Sequence, residues 1–401
     1  MLKRFFALGL ALCCLLSAAS AEKITLRLLD IQESSAYRRA NPHIAFQEAT
    51  VGPWDDALSW VENHKADVIY LRGYSKDVQT ILARPELLAD LSVSEGVTSA
   101  LSRMMPWIQQ LVTDQEGAIR ALPLSATVRC FSWRQDAWDA AGLTAADVPQ
   151  SYEELLNFLE AWCDRLEENP NQPVRVSSLL RWSTGTRKYD YCWWLTEMLL
   201  MCQVMQCRYA GMPVAFNTPE FIECAQRTID VATRLYKSEP RGKRTENLPE
   251  LFFNSLRAGR VFNEGRDYEL SHAIPMRLSS DQPALIWGSV EMAVVPAASA
   301  QQEEALRFLE DRLQNSGWMY DVLLYSDFAP ENYKSAGAIN SVSEGWLKDY
   351  HSYAGTIYDC PNVFEFQRDS STGKESLMMK YFKQDISAET FAQRLDKLLA
   401  E

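Results

Sequence analysis

Residues 118–133, AIRALPLSATVRCFSW, read as one long extended run. It passes through Pro123 and ends only where RQDAWDAAGL opens a short helix around Gln135–Ala141. A glycine turn, a proline and a capped amphipathic helix follow. At 401 residues the chain is long for a single hydrophobic core, so two domains or lobes are the expectation. Yet no Pro-, Ser- or Gly-rich joint divides it, and no internal repeat or low-complexity segment is present. The chain must then cross between lobes on ordered strands, and 118–133 is long and uninterrupted enough to be such a crossing.

The remaining pattern fits that constraint. In KITLRLLDIQE, Ile24, Leu26 and Leu28 alternate as a first strand. HIAFQEATV predicts a second and ADVIYLRGYS a third. Between those two, Trp54, Leu58 and Val61 fall at helical spacing, and SKDVQTILARPELLADLS predicts a helix broken at its proline. This order predicts an α/β layer with helices covering a largely parallel sheet. Ser151 followed by Glu154 is a capping box, and Leu155, Leu159, Trp162 and Leu166 line one face of the helix it opens. Pro219 starts another helix, with Phe221, Ala225, Thr228, Ala232 and Leu235 as its stripe. SVEMAVVPAAS predicts a buried strand, QQEEALRFLEDRLQ a helix, and DISAETFAQRLDKLLAE a closing helix capped by Ser387.

Residues 1–21 have the form of a secretory signal: basic Lys3 and Arg4, apolar Phe5 to Leu16, and Ala19-Ser20-Ala21 before Glu22. A cleaved leader is the expectation. Lipid modification at Cys13 or Cys14 is the alternative, although Leu12 is not the small residue such sites usually carry. The formal net charge is −13, and an acidic protein repels phosphate backbones, so nucleic acid is not an expected partner. Seven cysteines follow the leader, mostly inside apolar patterns, where buried thiols are expected, with one disulfide open. Cys202 and Cys207 have no histidine near them in sequence, so neither a metal nor any cofactor is expected.

Five passages resemble, in order, those of the extracellular solute-binding proteins of ABC importers, in the cluster with the maltodextrin- and other sugar-binding members. ADVIYLRGYSKDV with LLADLS resembles that family's third strand, ligand loop and following turn. GAIRALPLSATVRCFSWRQDAWDAAGL resembles its hinge passage, and VPQSYEELLNFLEAW the helix start after it. IPMRLSSDQPALIWGSVEMAVVPAASAQQEEALRFLEDRL resembles its second hinge strand and helix, and YFKQDISAETFAQRLDKLL its closing segment. Two departures stand out: ESSAYRRANP leaves little room for the helix between the first two strands, and Trp133-Arg134 replaces the usual asparagine.

The resemblance implies a two-lobed α/β clamp of the periplasmic-binding type (type II) with hinge strands. Lobe one would be 22–125 with 289–330, and lobe two 126–288 with 331–401. It further implies a monomer, exported to the cell surface or periplasm, that captures a small solute, a carbohydrate first, and delivers it to a membrane permease. No bond is made or broken in such a role. A charged solute (peptide, polyamine or organic acid) is the alternative. Carried onto this sequence, the ligand loops hold Arg72 and Tyr74, then Tyr189, Tyr191 and Trp194 of LLRWSTGTRKYDYCWW, then Asn263, Glu264 and Arg266 of RVFNEGRDYEL. Aromatic faces would stack on sugar rings and their polar tips would bond hydroxyls. Of Trp193 and Trp194, at least one is expected in the core, because adjacent helical positions point about 100° apart. Trp287 and Trp318 are expected to pack rather than to line the cleft. A secreted glycosidase, which would need two facing carboxylates, is the enzymatic rival. No HExxH or GxSxG occurs, and only four histidines are present.

Overall fold

The computed structural model describes residues 23–50, 57–72, 77–176, 187–238, 248–255, 271–274, 277–315, 324–326, 355–358 and 376–400. The chain divides into two compact units. The first comprises 1–102, 112–124 and 291–316; the second comprises 103–111, 125–290 and 317–401. Residues 103–111, expected in lobe one, thus group with the second unit. Backbone bonds explain this: Met105 N–H donates to Leu324 O at 2.7 Å, and Ser326 N–H donates to Arg103 O at 2.9 Å.

In the first unit, β1 (Ile24–Leu29), β2 (Ile44–Ala49) and β3 (Val68–Leu71) are parallel, with β1 between the other two. The register pairs Leu28 with Glu48 and with Val68. The C-terminal part of β7 (Leu285–Val294) joins the other edge of β3 antiparallel, with Tyr70 opposite Ala293. Three helices of six residues lie between or beyond the early strands: α1 (Ser35–Ala40), α2 (Ala57–Glu62) and α3 (Asp77–Leu82). The helix for which ESSAYRRANP left little room is therefore present as α1. Ser34 caps it, its hydroxyl accepting from Tyr37 N–H at 3.0 Å, which satisfies one of the free donors at the helix start.

Leu26, Leu28, Val68, Ile69, Met292 and Val294 fill the middle of the sheet with almost no exposure. Phe308 of α10 (Gln302–Asn315) meets Tyr37 edge-on at 5.4 Å between ring centres. Asp67, immediately before β3, is the polar pin of this unit. Its carboxylate accepts from Arg27 N–H (2.8 Å), Arg27 Nε (3.0 Å), Arg27 Nη2 (2.8 Å) and Ser299 Oγ (2.9 Å). One buried carboxylate thereby ties together β1, β3 and the segment after β7.

β4 (Leu122–Arg134) begins in the first unit and continues into the second, and β7 makes the return passage. Before β4 the chain reverses through Asp114, whose carboxylate accepts from Glu116 N–H and Ala118 N–H, both at 2.9 Å, and from Arg120 Nε at 2.7 Å. Gly117 takes φ 86° there, a conformation that glycine adopts without steric cost.

The second unit places α7 (Tyr152–Glu168), α8 (Arg187–Tyr209) and α9 (Pro219–Ser238) together. Strands β5 (Phe252–Ser255) and β6 (Ser271–Ile274) pair antiparallel with β4, and β8 (Gly355–Tyr358) pairs parallel with the start of β7. Ser151 Oγ accepts from Glu154 N–H at 3.2 Å, and the Glu154 carboxylate accepts from Gln150 N–H at 2.7 Å. The reciprocal cap read in the sequence is thus formed, one residue offset on the return bond. The Tyr152 hydroxyl donates to Leu195 O at 2.9 Å and lies 2.7 Å from Thr228 Oγ1, joining all three helices at one buried point. Trp138 is fully buried, stacked on Phe158 at 5.1 Å and edge-on to Phe252 at 5.2 Å. Trp133, standing at the departure from the family pattern, is buried against it at 5.4 Å. Cys163, Cys192, Cys202, Cys207 and Cys224 are buried in this unit as thiols. Burial pushes the Cys224 thiol up to about 11, which leaves it a small hydrophobe with little thiolate at neutral pH.

Candidate functional site

Parallel strands end where backbone pairing stops and side chains become available, so the carboxyl edge of such a sheet is the natural place for a ligand. In the first unit, β1, β2 and β3 all end on that edge. β1 gives way to Asp30, which sits in the left-handed region at φ 55° with its N–H donating to Ala49 O at 2.9 Å. Aspartate tolerates this conformation better than most residues, and here it turns the carboxylate toward Arg72, the residue after β3. The pair lies 3.8 Å apart, with the Arg72 side chain 32% and the Asp30 side chain 8% exposed.

On the neighbouring strand pair, the Tyr70 hydroxyl donates to the Glu291 carboxylate. The register explains it: Tyr70 pairs with Ala293, so Glu291 is two residues along on the same face. From the last turn of α10, Arg312 Nη2 donates to Gln32 O at 2.5 Å. Burial lowers the pKa of its guanidinium, while Asp311, Glu33 and Tyr70 oppose that shift. Behind Asp30 on the same turn, Glu33 pairs with Arg38 of α1. Together these groups alternate guanidinium donors with carboxylate acceptors, the chemistry that grips the hydroxyls of a polyol from both sides.

Of the residues singled out by sequence, the structure places Arg72 on this edge. Tyr74, Asn263, Glu264 and Arg266 lie outside the described residues, as does Trp318, and of Trp287 only the backbone is described. The aromatic group of α8 falls differently from expectation. Tyr191 and Trp194 are 2% and 4% exposed and belong to the hydrophobic core of the second unit; a ring so enclosed offers no face for a sugar. Tyr189 and Trp193 are partly buried against the same core, and Trp193 meets Phe382 edge-on at 5.7 Å. The tryptophan taken as the ligand contact is thus the more deeply packed of the two. α8 is apolar on nearly every side, so its sequence carries no stripe to tell inward from outward positions.

Sequence reasoning missed Asp30, Glu33, Glu291 and Arg312. Three of them carry a visible signal: Asp30 is the first charge after an apolar strand, and Glu291 is a lone charge inside one. Arg312 continues the inward row of Ala305, Phe308 and Leu309. Among the described residues no group of three or more His, Cys, Asp or Glu is placed to hold a metal ion, and no helix is long and apolar enough to cross a membrane.

No family model and no curated protein sequence matches this chain. Solved structures do match, over nearly its whole length. The maltose-bound MalE3 of T. maritima superposes with a TM-score of 0.56 at 12% identity, covering 94% of this chain and 99% of that one. An ABC transporter solute-binding protein from Agrobacterium vitis S4 with bound D-mannitol gives 0.55 at 15% identity, covering 94% and 98%. The cyclic α-maltosyl-1,6-maltose binding protein of Arthrobacter globiformis gives 0.55 at 14%, covering 92% and 96%. The chain therefore has the α/β fold of the ABC solute-binding proteins, and at these identities the likeness concerns the fold.

Proposed function

We propose that this protein is the extracytoplasmic solute-binding component of an ABC importer and that its solute is a neutral carbohydrate or polyol. The observation that carries this reading is the alternation of guanidinium and carboxylate groups at the carboxyl edge of β1–β3, on a fold shared end to end with sugar- and polyol-bound proteins. Lobes 22–125 with 289–330 and 126–288 with 331–401 act as a clamp that closes on the solute, with β4 and β7 as hinge strands. Solute contacting both lobes draws the equilibrium toward the closed form, which a membrane permease then receives. Arg72 is the contact we assign from the described edge, and Tyr74, Asn263, Glu264 and Arg266 are its proposed companions. The protein works as an exported monomer with residues 1–21 as its leader, and it performs no catalysis.

Thermal unfolding of the protein against mono- and oligosaccharides, polyols, polyamines, peptides and organic acids tests this. Ligand at one hundred times its dissociation constant adds about 2.7 kcal/mol, a plainly visible rise in Tm. Arg72→Ala is expected to abolish most of that rise while leaving the ligand-free Tm nearly unchanged, since a partly exposed pair at 3.8 Å contributes at most about 1 kcal/mol. A rise confined to polyamines or organic acids would overturn the carbohydrate assignment.

A further inference from the structure

β7 is one strand shared by two units: it leaves the second at Val290 and enters the first at Glu291. Its two ends are held by different ladders. Leu285 to Gly288 pair with β8 of the second unit, and Met292 to Val294 pair with β3 of the first. Beyond Val294 the chain is fixed further to the first unit, with Ala89 N–H donating to Val295 O and Ala297 N–H to Leu87 O, both at 2.8 Å. Ser289, Val290 and Glu291 lie between those ladders. Their neighbour in the sheet is β4, which itself changes units between Leu124 and Ser125.

One side-chain bond makes this gap unequal. The Tyr70 hydroxyl donates to the Glu291 carboxylate, although the Tyr70 backbone pairs two residues further on, with Ala293. Diagonal partners on one face of a sheet lie within reach of a long side chain. Tyr70 is well placed to hold a strand, because Ile69 and Leu71 on either side of it are buried. The start of β3 is also anchored, through Asp67, to Arg27 of β1 and to Ser299. We propose that Tyr70 is a positioning residue for the return crossing: its bond to Glu291 extends the grip of the first unit one residue past the β3 ladder and confines bending of β7 to Ser289 and Val290. The role rests on the clamp reading for its purpose, and on β3 and β7 alone for its geometry. Hinges concentrate their backbone change in a few residues. A short pivot gives the closing movement one axis, whereas a released Glu291 lengthens the pivot and lets the units sample a wider set of openings.

The test uses the full chain without solute. Spin labels at Ser99→Cys and Glu220→Cys, exposed positions in the first and second units, report the spread of inter-unit distances. Cys130→Ala and Cys360→Ala form the background, and the buried thiols are left in place. Tyr70→Phe and Glu291→Ala should each broaden that spread, and combining them should broaden it no further. Glu291→Gln, whose amide oxygen still accepts from the tyrosine hydroxyl, should match the wild type. Amide exchange at Glu291 and Met292 should rise about fivefold in Tyr70→Phe, the equivalent of one ordinary hydrogen bond, with exchange in β1 unchanged. The proposal is overturned if Tyr70→Phe leaves the distance spread as in the wild type, or if Glu291→Gln broadens it as much as Glu291→Ala does. Narrowing of the wild-type spread by added maltose or D-mannitol checks the clamp reading separately, so the two can fail independently.

Discussion

At the centre of the first unit a carboxylate, Asp67, accepts from Arg27 and Ser299 and fixes where β1, β3 and the post-β7 segment meet. At the centre of the second a ring, Trp138, is stacked on Phe158 and edge-on to Phe252, with its Nε1 donating to Thr144 O at 2.8 Å. Charge–dipole bonds are directional and short, so the first arrangement positions strand ends closely with little apolar volume behind them. Aromatic packing is area-driven and tolerant of direction, so the second suits a thick helical layer. The difference suits the edge that carries Asp30, Arg72 and Glu291, because those side chains inherit their spacing from strands that Asp67 aligns.

Replacing the rings should do the most damage. Trp138→Ala removes a fully buried indole and is expected to cost about 3–5 kcal/mol, read by denaturant unfolding, with amides of α7 exchanging faster. If amides of β1 respond equally, the contrast between the units fails. Asp67→Ala comes next, at about 2–3 kcal/mol, the lower end because the Arg27 side chain is 37% exposed and can rehydrate. Here the β1 amides should respond first.

Asp67 also sharpens the contrast through pH. Burial would raise its carboxyl, but the bonds from Arg27 and Ser299 and the charge of Arg27 hold it below the usual range. Its contribution is therefore present above the unfolded value of about 3.9 and is lost as pH falls through the folded value. Asp67→Asn should flatten that acid limb of the stability curve, whereas Trp138→Ala should lower the curve without changing its slope. The smallest effect is expected from Ser151→Ala, which loses one helix cap and about 1 kcal/mol, seen as a modest fall in the unfolding midpoint.

Much of this protein was legible one segment at a time. The alternation of Ile24, Leu26 and Leu28, the Ser151 cap, the stripe on α9 and the long run into β4 all express interactions between residues a few positions apart, and a sequence displays those directly. The same local logic brought Arg72 to the end of a strand. It failed on α8, whose sequence shows no single apolar stripe to separate inward from outward positions, so that Tyr191 and Trp194 read as ligand aromatics yet are core.

What a residue faces across the molecule is a different matter. Tyr70 and Glu291 are 221 positions apart, Asp67 and Ser299 are 232 apart, and nothing in either neighbourhood names the other. The sequence by itself determined the elements, their caps and the α/β order, because periodicity and capping are short-range energies. Only the tertiary structure decided that Asp30 meets Arg72, that Tyr70 meets Glu291 and that Trp194 is packed away, because those outcomes depend on strand register and on which helix covers which face.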